Sequence, residues 1–185
     1  MSSRPKSPTK QGKIVAQLVV RPAPLDRRRA ILQAGSLRLP AAIGRSGRTS
    51  RKREGDGATP IATMPLRFVY HRGDRMRVVA TGLPLKRVQE KMLWCDASGH
   101  PSYNRPVTAP FRASHETLMR QDRLYDVCVV MDWNLQKRKR GCGSAIFFHI
   151  AHPDYAPTEG CVAISPRDMQ RLLPHLGRAT RLRVL

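Results

Sequence analysis

Two apolar runs constrain the fold of this 185-residue chain more than any other feature: residues 125–133, YDVCVVMDW, and residues 144–151, SAIFFHIA. Both are rich in β-branched and aromatic residues and apolar in the middle, as strands buried on both faces are. They are expected to lie antiparallel, with Gln136-Lys137-Arg138-Lys139-Arg140-Gly141 as a basic hairpin tip between them. Residues 13–21 and 36–40 alternate apolar and polar side chains, the period-2 signature of a half-buried strand. Residues 66–70, 93–95 and 181–185 add three further strand candidates. Fifteen prolines and thirteen glycines supply turns throughout, which argues against a helical bundle or a coiled coil.

Helical signals are few. Ser165-Pro166-Arg167-Asp168 carries a Ser cap, Pro at the first helical position and Asp three residues after the cap. Met169, Leu172, Leu173 and Leu176 follow at helical spacing, and Gly177 stops the run. Ser114, with Glu116 behind it, predicts a second short helix through about Gln121. The sum is a mostly β chain of mixed strands with one or two short helices. Its organisation is expected to be a disordered basic tail over residues 1–12 and a single domain over 13–185. Residues 44–60, dominated by Gly, Ser, Arg and Asp, predict a long exposed loop.

Thirty-four Lys and Arg against thirteen Asp and Glu leave a net charge of +21, and residues 1–60 alone hold fourteen basic and three acidic residues. Such a surplus implies an anionic partner, whether nucleic acid, a membrane surface or an acidic polymer, and does not choose among them. Few aromatic residues accompany the basic tracts, so specific nucleic-acid recognition is not expected. No apolar stretch approaches the roughly 20 residues that cross a bilayer. No secretory signal peptide is visible either, which by sequence alone points to the cytoplasm.

Four cysteines, at 95, 128, 142 and 161, show neither zinc-ligand spacing nor a disulfide framework. Cys128 sits inside an apolar run and reads as a core thiol. Cys161 differs, because it follows Thr158-Glu159-Gly160 where a loop meets an apolar run, with His149 twelve residues upstream. A nucleophilic thiol needs a base and backbone N–H donors for the developing oxyanion. His149 can act as the base, and Gly160 lets the turn aim its amides into a site. His149 and His152, three apart on a strand and loop, turn to different sides, so no metal is expected and no cofactor is implied.

Residues 143–164, GSAIFFHIAHPDYAPTEGCVAI, resemble the YkuD-type L,D-transpeptidase catalytic domain, in which a histidine on one strand precedes a Ser/Thr-x-Gly-Cys motif. Glu54-Gly55-Asp56-Gly57-Ala58-Thr59-Pro60 is similar to its G-x-x-x-T-P turn. Trp94-Cys95-Asp96 with Tyr103-Asn104-Arg105 resembles its middle segment, and Ser114-His115-Glu116 its pre-strand helix. The resemblance covers about residues 15–185 and implies a sandwich-like or barrel-like sheet. It implies Cys161 as nucleophile, His149 as general acid and base, and Gly160 and Thr158 shaping the oxyanion loop. It implies attack on peptidoglycan stem peptides through a thioester, with D-alanine released and a cross-link formed or the acyl group hydrolysed. A cell-envelope location, an anionic cell-wall polymer as partner and a monomeric protein follow as expectations. Many family members carry Gly after the histidine and Arg two residues after the cysteine, where this chain has Ile150 and Ala163. The substrate carboxylate then needs another cation. Arg167 or the basic loops are candidates, with His152 and Tyr155 as further substrate contacts. The competing reading is a nucleic-acid- or anionic-polymer-binding protein with a degenerate cysteine site.

Overall fold

A computed structural model describes residues 12–76 and 80–185. Of the tail expected over residues 1–12, all but Gly12 lies outside the described residues. Strands β1 (Gln17–Pro22), β2 (Arg29–Ala34) and β3 (Leu37–Ala42) form a meander, followed by the two-residue pair β4 (Arg48–Thr49) and β5 (Thr59–Pro60). Then come the long β6 (Thr63–His71), β7 (Leu85–Arg87), β8 (Met92–Cys95), β9 (Arg105–Thr108) and β10 (His115–Thr117). The chain ends with β11 (Val127–Met131), β12 (Phe147–Ile150), β13 (Val162–Ile164), helix α1 (Pro166–Leu172), a 3₁₀ turn (Leu173–His175) and β14 (Arg181–Val184).

Eight of these strands close a ring in the order β11-β12-β13-β3-β2-β1-β14-β6, sealed by the pairing of β6 with β11, while β7 extends the free end of β6. The result is a closed, mixed, barrel-like sheet, with β1 parallel to β14 and β12 parallel to β13. Closure removes the unpaired edges an open sheet would present.

Alternation along β11 and β12 divides the apolar residues between two cores. Val127, Val129 and Met131 of β11 and Phe148 and Ile150 of β12 point into the barrel, where Leu18, Leu32, Leu66 and Leu182 meet them. Cys128, Val130 and Phe147 point outward into a second cluster with Tyr70, Trp94, Leu118 and Tyr125. A three-stranded sheet, β10-β8-β9, contributes Trp94 to that cluster, and its indole stands edge-on to Phe147 at 5.2 Å. Burial on both faces explains why the runs read as continuously apolar. At β2 the period is plainer: Ala30, Leu32 and Ala34 face in, while Arg29, Ile31 and Gln33 face out.

α1 begins as its sequence requires. The Ser165 hydroxyl accepts from the Asp168 N–H at 3.1 Å, Pro166 is the first helical residue, and Met169 and Leu172 enter the barrel core. The helix expected from Ser114 does not form. His115, Glu116 and Thr117 are instead β10, paired with Cys95, Trp94 and Leu93. Apart from Leu118 and Met119 that segment offers no apolar residues for a buried helical face, whereas extended it adds a third strand beside β8. The tract of residues 44–60 is not an exposed loop: Gly44, Lys52 and residues 57–60 are buried, and β4 and β5 pair in parallel. A Cβ on Gly44 would stand 2.4 Å from the Gly57 carbonyl oxygen, so glycine is what permits this close backbone approach.

Phe148 fills the barrel on the side of β12 opposite His149 and has no exposed surface. Phe148→Ala should cost about 3–5 kcal/mol in urea unfolding, the usual penalty for an emptied aromatic core site.

Candidate active site

β12 and β13 run parallel, so the chain leaving Ile150 must travel back along the strand before β13 can start. It does so in residues 151–161, a return loop without a helix. The register pairs Phe148 with Val162 and His149 with Ala163, which brings Cys161 opposite Phe147, two residues before His149 on the same outward face. The twelve-residue spacing from His149 to Cys161 is therefore set by the return loop. Both side chains line one cavity of about 400 Å³, together with Lys52, Glu116, Tyr125 and Thr158.

The loop before Cys161 is held by hydroxyls. Thr158 Oγ1 donates to the Cys161 carbonyl at 2.7 Å and accepts the Gly160 N–H at 3.2 Å. From the other side Thr59 Oγ1 donates to the same carbonyl at 3.2 Å while accepting the Gly44 N–H at 2.8 Å. Thr59 belongs to the G-x-x-x-T-P turn, so the tract of residues 44–60 is a clamp on the cysteine loop. Gly160 has φ +130°, and a Cβ there would lie 2.8 Å from the Ala58 carbonyl oxygen; both facts require glycine.

Cys161 Sγ accepts the Phe147 N–H at 3.3 Å and points its own hydrogen at the Ala145 carbonyl, also at 3.3 Å. Ala145 is held at φ +51°, a left-handed conformation that costs a residue with a Cβ about 1 kcal/mol or more. Asn104 holds it there: its Oδ1 accepts the Ala145 N–H at 3.1 Å and the Trp94 indole N–H at 3.0 Å, and its Nδ2 donates to the Trp133 carbonyl at 3.0 Å.

His149 is 5% exposed and its Nδ1 lies 2.9 Å from the Ile150 carbonyl. A carbonyl can only accept, so Nδ1 carries the hydrogen and Nε2 is the basic nitrogen. The group orienting the imidazole is thus a backbone carbonyl, while Asp154 pairs with His152 Nδ1 at 2.6 Å on the surface. Tyr125 stacks edge-on to the His149 ring at 5.2 Å, and the Arg120 guanidinium lies 5.0 Å over Tyr125. Among the described residues no hydrogen bond joins the Cys161 sulfur to the imidazole; the thiol rests on Ala145.

Burial sets the protonation states. It pushes the Cys161 thiol up to about 12, opposed by the Phe147 N–H, with Glu116 raising it and Lys52 and Arg120 lowering it. Burial likewise brings His149 down to about 4, against the pull of the Ile150 carbonyl. At neutral pH the resting pair is a neutral thiol and a neutral imidazole, so a thiolate forms here only if the thiol proton is transferred. Tyr125 is also pushed well up by burial, and Glu116 is raised for the same reason despite Arg120 at 3.6 Å.

The structure brings Cys161, His149, Thr158 and Gly160 together. Of the three substrate contacts expected from sequence, exposed His152 lines the cavity; Tyr155 lies in the neighbouring hollow with Arg29 over its ring at 5.4 Å, and Arg167 is exposed on α1 outside the cavity. Sequence reasoning missed Lys52, Ala145, Tyr125 and Arg120 as neighbours of the pair. Only Tyr125, an aromatic at the head of a buried strand, carried a signal that could have found it.

The L,D-transpeptidase catalytic domain family, YkuD, matches residues 19–184, and the chain belongs to it. No curated protein matches the chain. Among solved structures it is similar to L,D-transpeptidase 1 of Mycobacterium tuberculosis, at 11% identity and a TM-score of 0.39, over 91% of this chain and 61% of that one. The structure of LdtMt1 in complex with imipenem gives 13% and 0.40, over 91% and 58%. An L,D-transpeptidase from Mycobacterium smegmatis gives 12% and 0.41, over 91% and 58%. The chain thus spans about three fifths of the length of those proteins.

A histidine whose value falls from an ordinary 6.5 to about 4 on folding binds fewer protons in the folded than in the unfolded chain between those limits. Stability from His149 is therefore complete above pH 6.5 and drains away as pH falls toward 4. Urea unfolding at pH 7.5 and pH 5 should show a loss of about 2 kcal/mol from this group. The loss should be smaller by that amount in His149→Gln.

Proposed function

We propose that this chain is a cysteine L,D-transpeptidase acting on peptidoglycan stem peptides. The observation that carries the reading is the placement of Cys161 and His149 on one face of the β12–β13 pair, lining one cavity. Cys161 Sγ attacks the carbonyl that joins an L-centre to a terminal D-alanine, and His149 Nε2 takes the thiol proton. The tetrahedral oxyanion is met by N–H groups of the Gly160–Cys161 turn, a contact worth a few kcal/mol of barrier. The Gly160 N–H leaves its long bond to Thr158 Oγ1 to do so. Collapse expels D-alanine, whose amine receives the proton from His149, and leaves a thioester on Cys161. An amine of a second stem then attacks the thioester and gives a cross-link, its proton returning through His149 to the released thiol. Water in place of that amine gives carboxypeptidase activity.

The substrate lies outside the cytoplasmic membrane, so we assign the cell envelope as the place of action. No helix of the described residues is long and apolar enough to cross a membrane. The +21 surplus would hold the protein to an anionic, carboxylate-rich polymer.

Incubation with tetrapeptide muropeptides should release D-alanine and yield cross-linked dimers, read by mass spectrometry. Cys161→Ala should abolish both, and a carbapenem should add its mass at Cys161 in the wild type. Turnover that survives in Cys161→Ala would remove the assigned nucleophile.

A further inference from the structure

Lys52 has a charged end where a tract of Gly, Ser and Arg would normally leave it in water. Its side chain is only 3% exposed, and its Nζ pairs with Asp56. The stem runs past Gly143, where a Cβ would stand 2.9 Å from both Cγ and Cε of Lys52. The ammonium then lies against Gly160, where a Cβ would stand 3.4 Å from Nζ. Both glycines have positive φ, +89° and +130°. The two loops that bracket the cysteine are therefore shaped around a lysine.

The partner does not use up the ammonium. Asp56 Oδ1 also accepts the Ala58 N–H at 2.9 Å, and its Oδ2 the Arg53 N–H at 2.8 Å, so backbone donors share its charge. Among the described residues Asp56 is the one hydrogen-bond partner of Lys52 Nζ, which leaves two of three N–H donors uncommitted beside the cavity. Position 163 on β13 is Ala, so that strand brings no cation of its own past the cysteine.

We propose that Lys52 is a positioning residue whose fixed positive charge beneath the Gly160–Cys161 turn stabilises the negative charge that forms there when the thiol gives its proton to His149. Lys52 keeps its own proton throughout: the S–H bond breaks, an N–H bond forms at His149 Nε2, and the sulfur keeps the electron pair. The proposal rests on Cys161 being the nucleophile and names the cation that offsets part of the cost of burying its anion. Lys52 is among the charges that favour the thiolate at Cys161.

The test is the pH profile of iodoacetamide alkylation at Cys161, followed by peptide mass mapping, which needs no peptidoglycan substrate. Lys52→Met keeps the apolar stem and removes the charge; alkylation at a given pH should fall about tenfold and the profile should move about one pH unit upward. Lys52→Arg should stay near the wild-type profile. Asp56→Asn leaves the lysine in place and removes its counter-charge, so its profile should move downward with the folded circular-dichroism spectrum retained, because unfolding would also lower a thiol that burial raises; the upward shift of Lys52→Met is the one that loss of structure would not produce. Unchanged profiles in Lys52→Met and Asp56→Asn, each shown folded by circular dichroism, would overturn the proposal, as would an upward shift in Asp56→Asn if Lys52→Met does not fold. Opposite shifts in the two variants without any release of D-alanine would uphold the role of Lys52 and overturn the assigned substrate.

Discussion

The parallel pairing of β12 with β13 is the constraint from which the site follows. Antiparallel strands can be joined by a tight turn, but parallel ones require the chain to return along the strand before pairing again. Here the return is made by residues 151–161 over the outer face of the sheet, and that loop becomes a wall of the cavity. The same geometry fixes which residues meet. Phe147 and His149 share a face of β12, and the register delivers Cys161 to the Phe147 end of it.

A thiol at the start of a strand is only as well placed as the loop before it, and here the loop is fixed by main-chain and hydroxyl contacts. The Cys161 carbonyl takes hydroxyl hydrogens from Thr158 and Thr59, and the isolated bridge between Gly44 and Thr158 ties the two loops together. Asn104 holds Ala145 in a left-handed conformation and so presents the carbonyl on which the thiol rests. Such strain, held by a satisfied buried network, belongs at functional sites. The deep burial of thiol and imidazole makes the resting pair neutral, so electrostatic help has to come from charges already fixed around the cavity.

Much of the fold was legible because burial leaves a pattern. The runs at 125–133 and 144–151 are apolar throughout since each strand feeds two cores, and Ser165 announces α1 through a cap that depends on neighbouring residues alone. β2 was harder to see: Arg27-Arg28-Arg29 reads as a charged block, although Ala30, Leu32 and Ala34 alternate inward just after it. The Ser114 segment had a local cap signal but lacked an apolar helical face, and the ladder to β8 prevailed. Residues 44–60 misled for a further reason. Polar and glycine-rich composition normally means solvent, yet here Gly44 lies against the Gly57 backbone, Lys52 pairs with Asp56 within the tract, and Thr59 reaches the Cys161 carbonyl of a distant loop.

The sequence by itself determined the strands at β1, β3, β6, β8, β11, β12 and β14, the capped helix and the spacing of His149 and Cys161, because periodicity, capping and a short motif are local properties of the chain. Tertiary structure alone decided what surrounds that pair: the Asn104 amide that holds Ala145 under the thiol, the Thr59 clamp on the cysteine loop and the lysine threaded between Gly143 and Gly160. Those partners come from segments up to 109 residues from the cysteine (161 − 52). Their meeting is set by the order in which strands close the barrel, and no pattern within any one segment records it.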